Sequence, residues 1–424
     1  MSKYYIEYDN VDVSHLKDWE LELVKIFKEV TKLCGEIYDE QINSAAGFYP
    51  KGVTIDEIED AAVDDPTILS PYTRVIREGS KLKAVFYYDE YKEQINRITT
   101  LLKDTSEIYS KNGLKDYSKY LEDLSSDLKS ANFESSERRW LKLDGIIKVD
   151  IKLGPLETYQ DKLLGIKRAF QSNLRIQDEQ EYSNLKEYIE VINEILPMSP
   201  FAKDVSESDF VVRIDKVIAM GGWHADLFPS SSNYPADINY YKLGVKAIIY
   251  TNNISKKQPI VNKIVKTLID SSYNNEQKLA QARKRVIIFH EISETISKLK
   301  FQKIYEQLRN YRDQVIEVYA DLMGLKSGAV HVLKGFLTIE EYQYIQIAFV
   351  AHILRIWGQG KLNSSFSVYS DGDRLIFNYF LEREAIKIYE NKIQVDYAKM
   401  YSAIDNLTME LSQIILNRDP KAAA

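Results

Sequence analysis

Residues 285–299 read RVIIFHEISETISKL, and residues 305–325 read YEQLRNYRDQVIEVYADLMGL. Apolar residues recur at three and four in both, so each predicts a helix. On the first, His290 and Glu294 are four apart and leave the same face, one turn removed. Glu291 stands beside the first of them. The second stretch carries Glu317 and Asp321, again four apart, among Val315, Ile316, Val318, Ala320, Leu322 and Met323. So apolar a stretch leaves little surface for solvated charge, and a carboxylate buried there without a partner is costly.

The first spacing is that of a metal-binding HExxH helix with Glu in place of the second His. Alone it is weak, because Glu-rich amphipathic helices produce it by chance. The following helix changes the balance, since a Glu there is a usual third ligand of zinc peptidases. An acidic residue one turn later can accept the ring N–H of the ligating histidine and fix its tautomer. The expectation is therefore one divalent ion held by His290, Glu294 and Glu317. Glu291 is placed to act as general base on an attacking water, and Asp321 to orient His290.

Working outward, helical periodicity dominates the chain. It marks WELELVKIFKEVTKLCGEIYDEQI (19–42), YKEQINRITTLLKDTSEIY (91–109) and LKDYSKYLEDLSSDLKSA (114–131). Thr54 followed by Glu57 reads as a capping box. Short β-branched runs, KLKAVFYY, GIIKVDIKLG, DFVVRIDKVIAM and VKAIIYTN, read as strands. They lie before about residue 255, and from Ile264 the chain reads as almost wholly helical. The fold class is accordingly α+β, mainly α. Residues 221–235 form the longest irregular stretch and predict a functional loop.

The 424 residues suffice for two sizeable cores, and 45% hydrophobic with 28% charged residues is an ordinary globular balance. A net charge of −7, with Lys and Arg interleaved among acids, argues against a nucleic-acid partner. The single cysteine, Cys34, excludes an internal disulfide and reads as a core residue. The N-terminal stretch is charged and lacks an export core, and no run approaches the roughly 18 apolar residues of a membrane span. Cytoplasm is the expected location. The terminal KAAA (421–424) reads as a vector-derived tail. Among the other histidines, His331 and His352 read as satisfied core or interface residues and His15 as a surface residue. His224 sits in the long loop, where a cleft-facing position is one option.

Several stretches together resemble the dipeptidyl peptidase III family, in its shorter bacterial and plant branch. FYPKGVT (48–54) and SPYTRVIR (70–77) are similar to that branch's N-terminal signatures. LGPLETYQDKLLGIKRAF (153–170) resembles its pattern GPxExYxDxLxGxKAxF, and SNYPADINYYKLGVKAIIYTNNI (232–254) its NLPND segment. IEVYADLMGL (316–325) is similar to EExxADxxGL, and IFNYFLEREAI (376–386) to FNYLxExGAI. The resemblance implies two lobes facing a wide cleft, with the metal on a helical lobe. Residues 1–160 and 205–255 are assigned to the mixed substrate lobe, and 161–204 and 256–420 to the helical lobe.

It also implies release of dipeptides from the N-termini of short peptides. Glu157 would receive the peptide ammonium, Tyr159 would steady a carbonyl or oxyanion, and Asn233 would bind peptide backbone. The chain departs from the family pattern at Glu294 (a histidine ligand there), at Ala236 (an Asn), and at Tyr369 or Ser370, where a late histidine is expected. An anionic ligand for a neutral one lowers Lewis acidity and hardens the site. Zinc leads as the metal, with Mn or Fe as alternatives. Three functions stay open: a dipeptidyl-peptidase-like metallopeptidase, a peptide-binding protein that has lost the chemistry, or another metal-dependent reaction on a small substrate.

Overall fold

Residues 149–177 form a hairpin whose arms are buried on both faces. In the computed structural model, residues 3–43, 47–143, 147–182, 210–270, 272–305, 308, 312–361 and 367–417 are described. The chain divides into two compact units. Unit 1 comprises Met1–Gln177, Asp215–Pro229 and Pro235–Leu243, and unit 2 comprises Asp178–Ile214, Ser230–Tyr234 and Gly244–Ala424.

Unit 1 contains β1 (Tyr5–Glu7), α1 (Asp18–Asn43), α2 (Ile55–Asp64), β2 (Thr73–Glu78), β3 (Lys81–Phe86), α3 (Lys92–Lys111), α4 (Lys115–Ser130) and α5 (Glu134–Lys142). It continues with β4 (Val149–Glu157), β5 (Ala169–Gln177), the later part of β6 (Phe210–Gly222) and α6 (Trp223–Leu227). Helix α2 starts where the sequence predicts, with the Thr54 and Glu57 side chains each accepting from the other's backbone N–H. β4 pairs antiparallel with β5, from Val149 opposite Ile176 to Glu157 opposite Ala169, with an irregularity between Pro155 and Glu157. β6 pairs with β5, and β1 with β6. Helix α1 lies so close to β6 that a Cβ on Gly221 would sit 2.0 Å from the Thr31 carbonyl oxygen, so only glycine fits there. Charges under this sheet are matched: Arg175, fully buried, pairs with both Asp150 and Asp215, and Lys152 with Glu137.

Unit 2 contains β7 (Ser231–Tyr234), β8 (Val245–Tyr250), α7 (Thr251–Leu268), β9 (Ile269–Asp270), α8 (Glu276–Tyr305), α9 (Arg312–Leu333), α10 (Ile339–Gly360), α11 (Ser367–Glu382), β10 (Ile386–Tyr389), β11 (Lys392–Val395) and α12 (Tyr397–Asn417). One apolar core runs through it, drawing on α7 to α12 and on β8. Helix α8 packs on α9, α10, α7 and the β7–β8 pair. Residues 286–289 and 291–297 of α8 are all buried, as befits a helix surrounded on most sides.

This division differs from the one read from the sequence. Residues 161–177 stay in unit 1, because β5 finds its backbone partners on β4. Residues 230–234 and 244–255 belong to unit 2, because β7 and β8 pack on α8. The stretch 221–235 is not a long loop; it holds the end of β6, α6 and β7. The boundary expected at 204/205 and the 421–424 tail lie outside the described residues.

Candidate metal centre

Helix α8 presents His290, Glu291 and Glu294, and α9 presents Glu317 and Asp321. The two helices meet at Gly324, where a Cβ would stand 3.0 Å from the backbone nitrogen of His290 and the carbonyl carbon of Phe289. The absent side chain lets α9 ride directly over the backbone of the His290 turn. As a result, Asp321 Oδ1 lies 2.6 Å from His290 Nδ1, and Glu317 Oε2 lies 3.3 Å from His290 Nε2. One ligand-type atom each from His290, Glu291 and Glu294 falls within 4.8 Å of the others.

These distances suit a cation. Metal–ligand bonds of about 2.0–2.2 Å in a tetrahedron put neighbouring ligand atoms roughly 3.3–3.6 Å apart, which the Nε2–Oε2 separation matches. Asp321 accepts the hydrogen bond from Nδ1–H and leaves Nε2 turned toward Glu317, the orientation a histidine ligand needs. Burial works to lower the His290 pKa, but the charges of Asp321 and Glu317 outweigh it and hold the imidazole well above its usual range. A proton on this ring thus does part of what a divalent ion would do better. Imidazole nitrogen with carboxylate oxygens is an ordinary donor set for such ions.

Glu291 and Glu294 are buried at 5% and 7% exposure, whereas His290, Glu317 and Asp321 are partly open. Asn233, on β7, donates through Nδ2 to Thr295 Oγ1 (2.8 Å) and to the Glu291 backbone oxygen (3.2 Å), with the Glu291 carboxylate at 3.4 Å. Its Oδ1 is buried without a partner among the described residues. Thr295 and Gly324 contribute to this geometry and were not singled out from the sequence. A glycine three residues after Asp321, inside an apolar helix, was the available signal.

Of the residues read as substrate-contacting, Asn233 lies in unit 2, and Glu157 and Tyr159 lie in unit 1. Glu157 ends β4 and is half-buried. Tyr159 stacks on Trp223, with ring centroids 5.3 Å apart and planes 10° from parallel. His224 does not face a cleft: it is fully buried, with Nδ1 2.9 Å from Asn173 Nδ2, and burial pulls its pKa down to about 3. His331 is buried in the core, with Nδ1 2.8 Å from the Ser327 carbonyl oxygen. His352 is not satisfied: its Nδ1 is buried without a partner among the described residues. Cys34 is fully buried, and that burial pushes its thiol pKa up.

Two solved structures share this architecture. Dipeptidyl peptidase III from Caldithrix abyssi superposes with a TM-score of 0.82 at 20% identity, over 97% of this chain and 90% of that one. Dipeptidyl-peptidase III from Corallococcus sp. strain EGB gives 0.80 at 21%, over 98% and 88%. The fold is therefore that of the dipeptidyl peptidase III structures, mainly helical with small sheets. Nudix hydrolase 3 of Arabidopsis thaliana is 23% identical over 410 residues, which are 93% of this chain and 51% of that protein. The chain thus spans about half the length of that curated relative. The sequence pattern of peptidase family M49 matches residues 2–297, through the His290–Glu294 turn and short of α9. The chain belongs to peptidase family M49.

Proposed function

We propose that the chain is a metal-dependent peptidase of dipeptidyl peptidase III type, acting on the N-termini of short peptides. The observation that carries this reading is the two-sided engagement of His290, with Asp321 on Nδ1 and Glu317 at 3.3 Å from Nε2. One carboxylate oxygen each of Glu291 and Glu294 lies within 4.8 Å of a ring nitrogen of the same histidine. His290, Glu294 and Glu317 would hold the ion, zinc being the first candidate and Mn or Fe the alternatives. A divalent ion supplies a Lewis acid for the peptide carbonyl and acidifies the attacking water.

Glu291 accepts that water's proton and returns it to the leaving amine. Asn233 keeps Glu291 in place through Thr295 and the α8 backbone. Asp321 fixes the His290 tautomer. Glu157 receives the substrate ammonium, and the Tyr159 hydroxyl steadies the oxyanion. The partners are short peptides rather than nucleic acid or membrane, and the location is the cytoplasm. No helix among the described residues is long and apolar enough to cross a membrane.

The test is release of a dipeptide from a dipeptidyl-naphthylamide by protein loaded with zinc, manganese or iron, with metal content measured alongside. Glu291→Gln should lose at least about 100-fold in rate while keeping its metal. No release by the wild type with any of the three ions would overturn the peptidase reading. If that protein still bound peptides, it would be a binding protein on this fold.

A further inference from the structure

Among the described residues, unit 2 buries two arginines that form no ion pair. Arg283, on α8, is 0% exposed, and Arg355, on α10, is 7% exposed. Neither makes an ion pair among the described residues. Arg283 Nη1 donates to the Ile254 carbonyl on α7, and Arg355 Nη1 to Gln359 Oε1. The Nε and Nη2 of Arg283, the Nε of Arg355 and the Nδ1 of His352 are buried with no partner among the described residues.

Unit 1 shows how this chain treats a buried guanidinium otherwise, since Arg175 meets two carboxylates there. Burying a charge without a counter-charge is strongly unfavourable, so two buried arginines with free donors favour binding of an anion.

The groups converge. Helices α7, α8 and α10 pack against one another. His352 and Arg355 are three apart on one face of α10, and Lys257 is three beyond Ile254, the residue Arg283 touches. Lys257 Nζ reaches Ser230 Oγ at 3.1 Å. Burial, reinforced by Arg355, draws Arg283 down to about 9; burial draws Arg355 to about 10 and Lys257 well below its usual range. Asp373, whose charge Arg355 feels, forms no ion pair with it, and its Oδ2 is buried without a partner among the described residues.

We propose that Arg283, Arg355 and His352 form a second binding site in unit 2, for a carboxylate. The unpartnered edge of Arg283 sets the ligand class. Nε–H and Nη2–H form one edge of the guanidinium, two parallel donors that match the two oxygens of a carboxylate better than a spherical anion. The Nε of Arg355 and the Nδ1 of His352 are likewise buried without a partner among the described residues. The carboxylate is either a free small acid or the C-terminus of a peptide. The site does not rest on the peptidase reading.

The test is thermal unfolding of the full chain at fixed metal content, with sodium acetate against sodium chloride at equal ionic strength. Acetate at roughly 0.1 M should raise Tm by about 2 °C more than chloride. Arg283→Met should lose that acetate response and, freed of an unmatched charge, unfold no lower than the wild type without acetate. If that variant does not fold, Arg355→Met and the broadening of a carbon-13 acetate signal by the wild type read the same site. An N-acetylated tripeptide acid that displaces acetate, where its amide does not, identifies the peptide terminus as the source. Displacement by neither leaves the free acid as the ligand. Equal shifts with chloride and acetate, or an acetate shift that survives Arg283→Met, overturn the proposal.

Discussion

Replacing Asp321 by Asn keeps the shape of the side chain behind His290 and removes its charge. The Nδ1–Oδ1 separation of 2.6 Å is that of a short charge-assisted hydrogen bond. Hydrogen bonds to charged groups contribute about 1.5–3 kcal/mol. Loss of the partner behind a metal-binding histidine lowers metal affinity by about 10–100-fold, the same range in free energy. Asp321→Asn should therefore weaken zinc binding roughly 30-fold at alkaline pH.

The pH profile adds a sign. Asp321 and Glu317 hold the His290 pKa well above its usual value, against the pull of burial. The ring must lose its proton before Nε2 can take an ion, so wild-type affinity falls about tenfold per unit as pH drops below that pKa. The variant loses part of the upward shift, so protons compete less. The gap between the two proteins should narrow on acidification. Competition against a chromophoric zinc chelator across neutral and alkaline pH measures both quantities. Equal affinities, or a deficit of the same size at every pH, would refute the argument that Asp321 acts through the charge on His290.

Other outcomes follow from the same geometry. Glu294→His puts a neutral imidazole where an anionic carboxylate stands and should raise both zinc affinity and any hydrolytic rate; unchanged values in a folded variant would remove Glu294 from the ligand set. A tetrapeptide should bind the wild type much more tightly than its N-acetylated form, and Glu157→Gln should discriminate little between them; calorimetric titration showing equal binding of both peptides to the wild type would end the ammonium role of Glu157. Gly324→Ala would bring a methyl group to 3.0 Å from the His290 backbone nitrogen, an atom that cannot move aside. Chemical unfolding should show a loss of about 1–3 kcal/mol, with weaker zinc binding as α9 is pushed off α8; a variant as stable as the wild type would show that the helices tolerate the spacing.

Local patterns carried much of this protein into view. Four-residue spacing on a helix is a property of the sequence alone, so His290 with Glu294 and Glu317 with Asp321 could be paired before any tertiary contact was known. The Thr54 capping box was legible for the same reason, since its partners lie three residues apart. The sequence motifs also pointed to the family that the comparisons show.

Tertiary structure decided what depends on partners far away in the chain. β5 was missed because AFQSNLRIQ, buried on both faces, shows no alternation, and its strand state is set by β4 in a hairpin around the 157–169 turn. Which atom of His290 meets which carboxylate depends on how α8 and α9 approach at Gly324. The unmatched state of Arg283 and Arg355 was equally invisible, because an arginine in a helix looks the same whether a carboxylate is waiting for it or not. Charge spacing along a chain is written in the sequence; charge neutrality inside a core is a property of the packed helices.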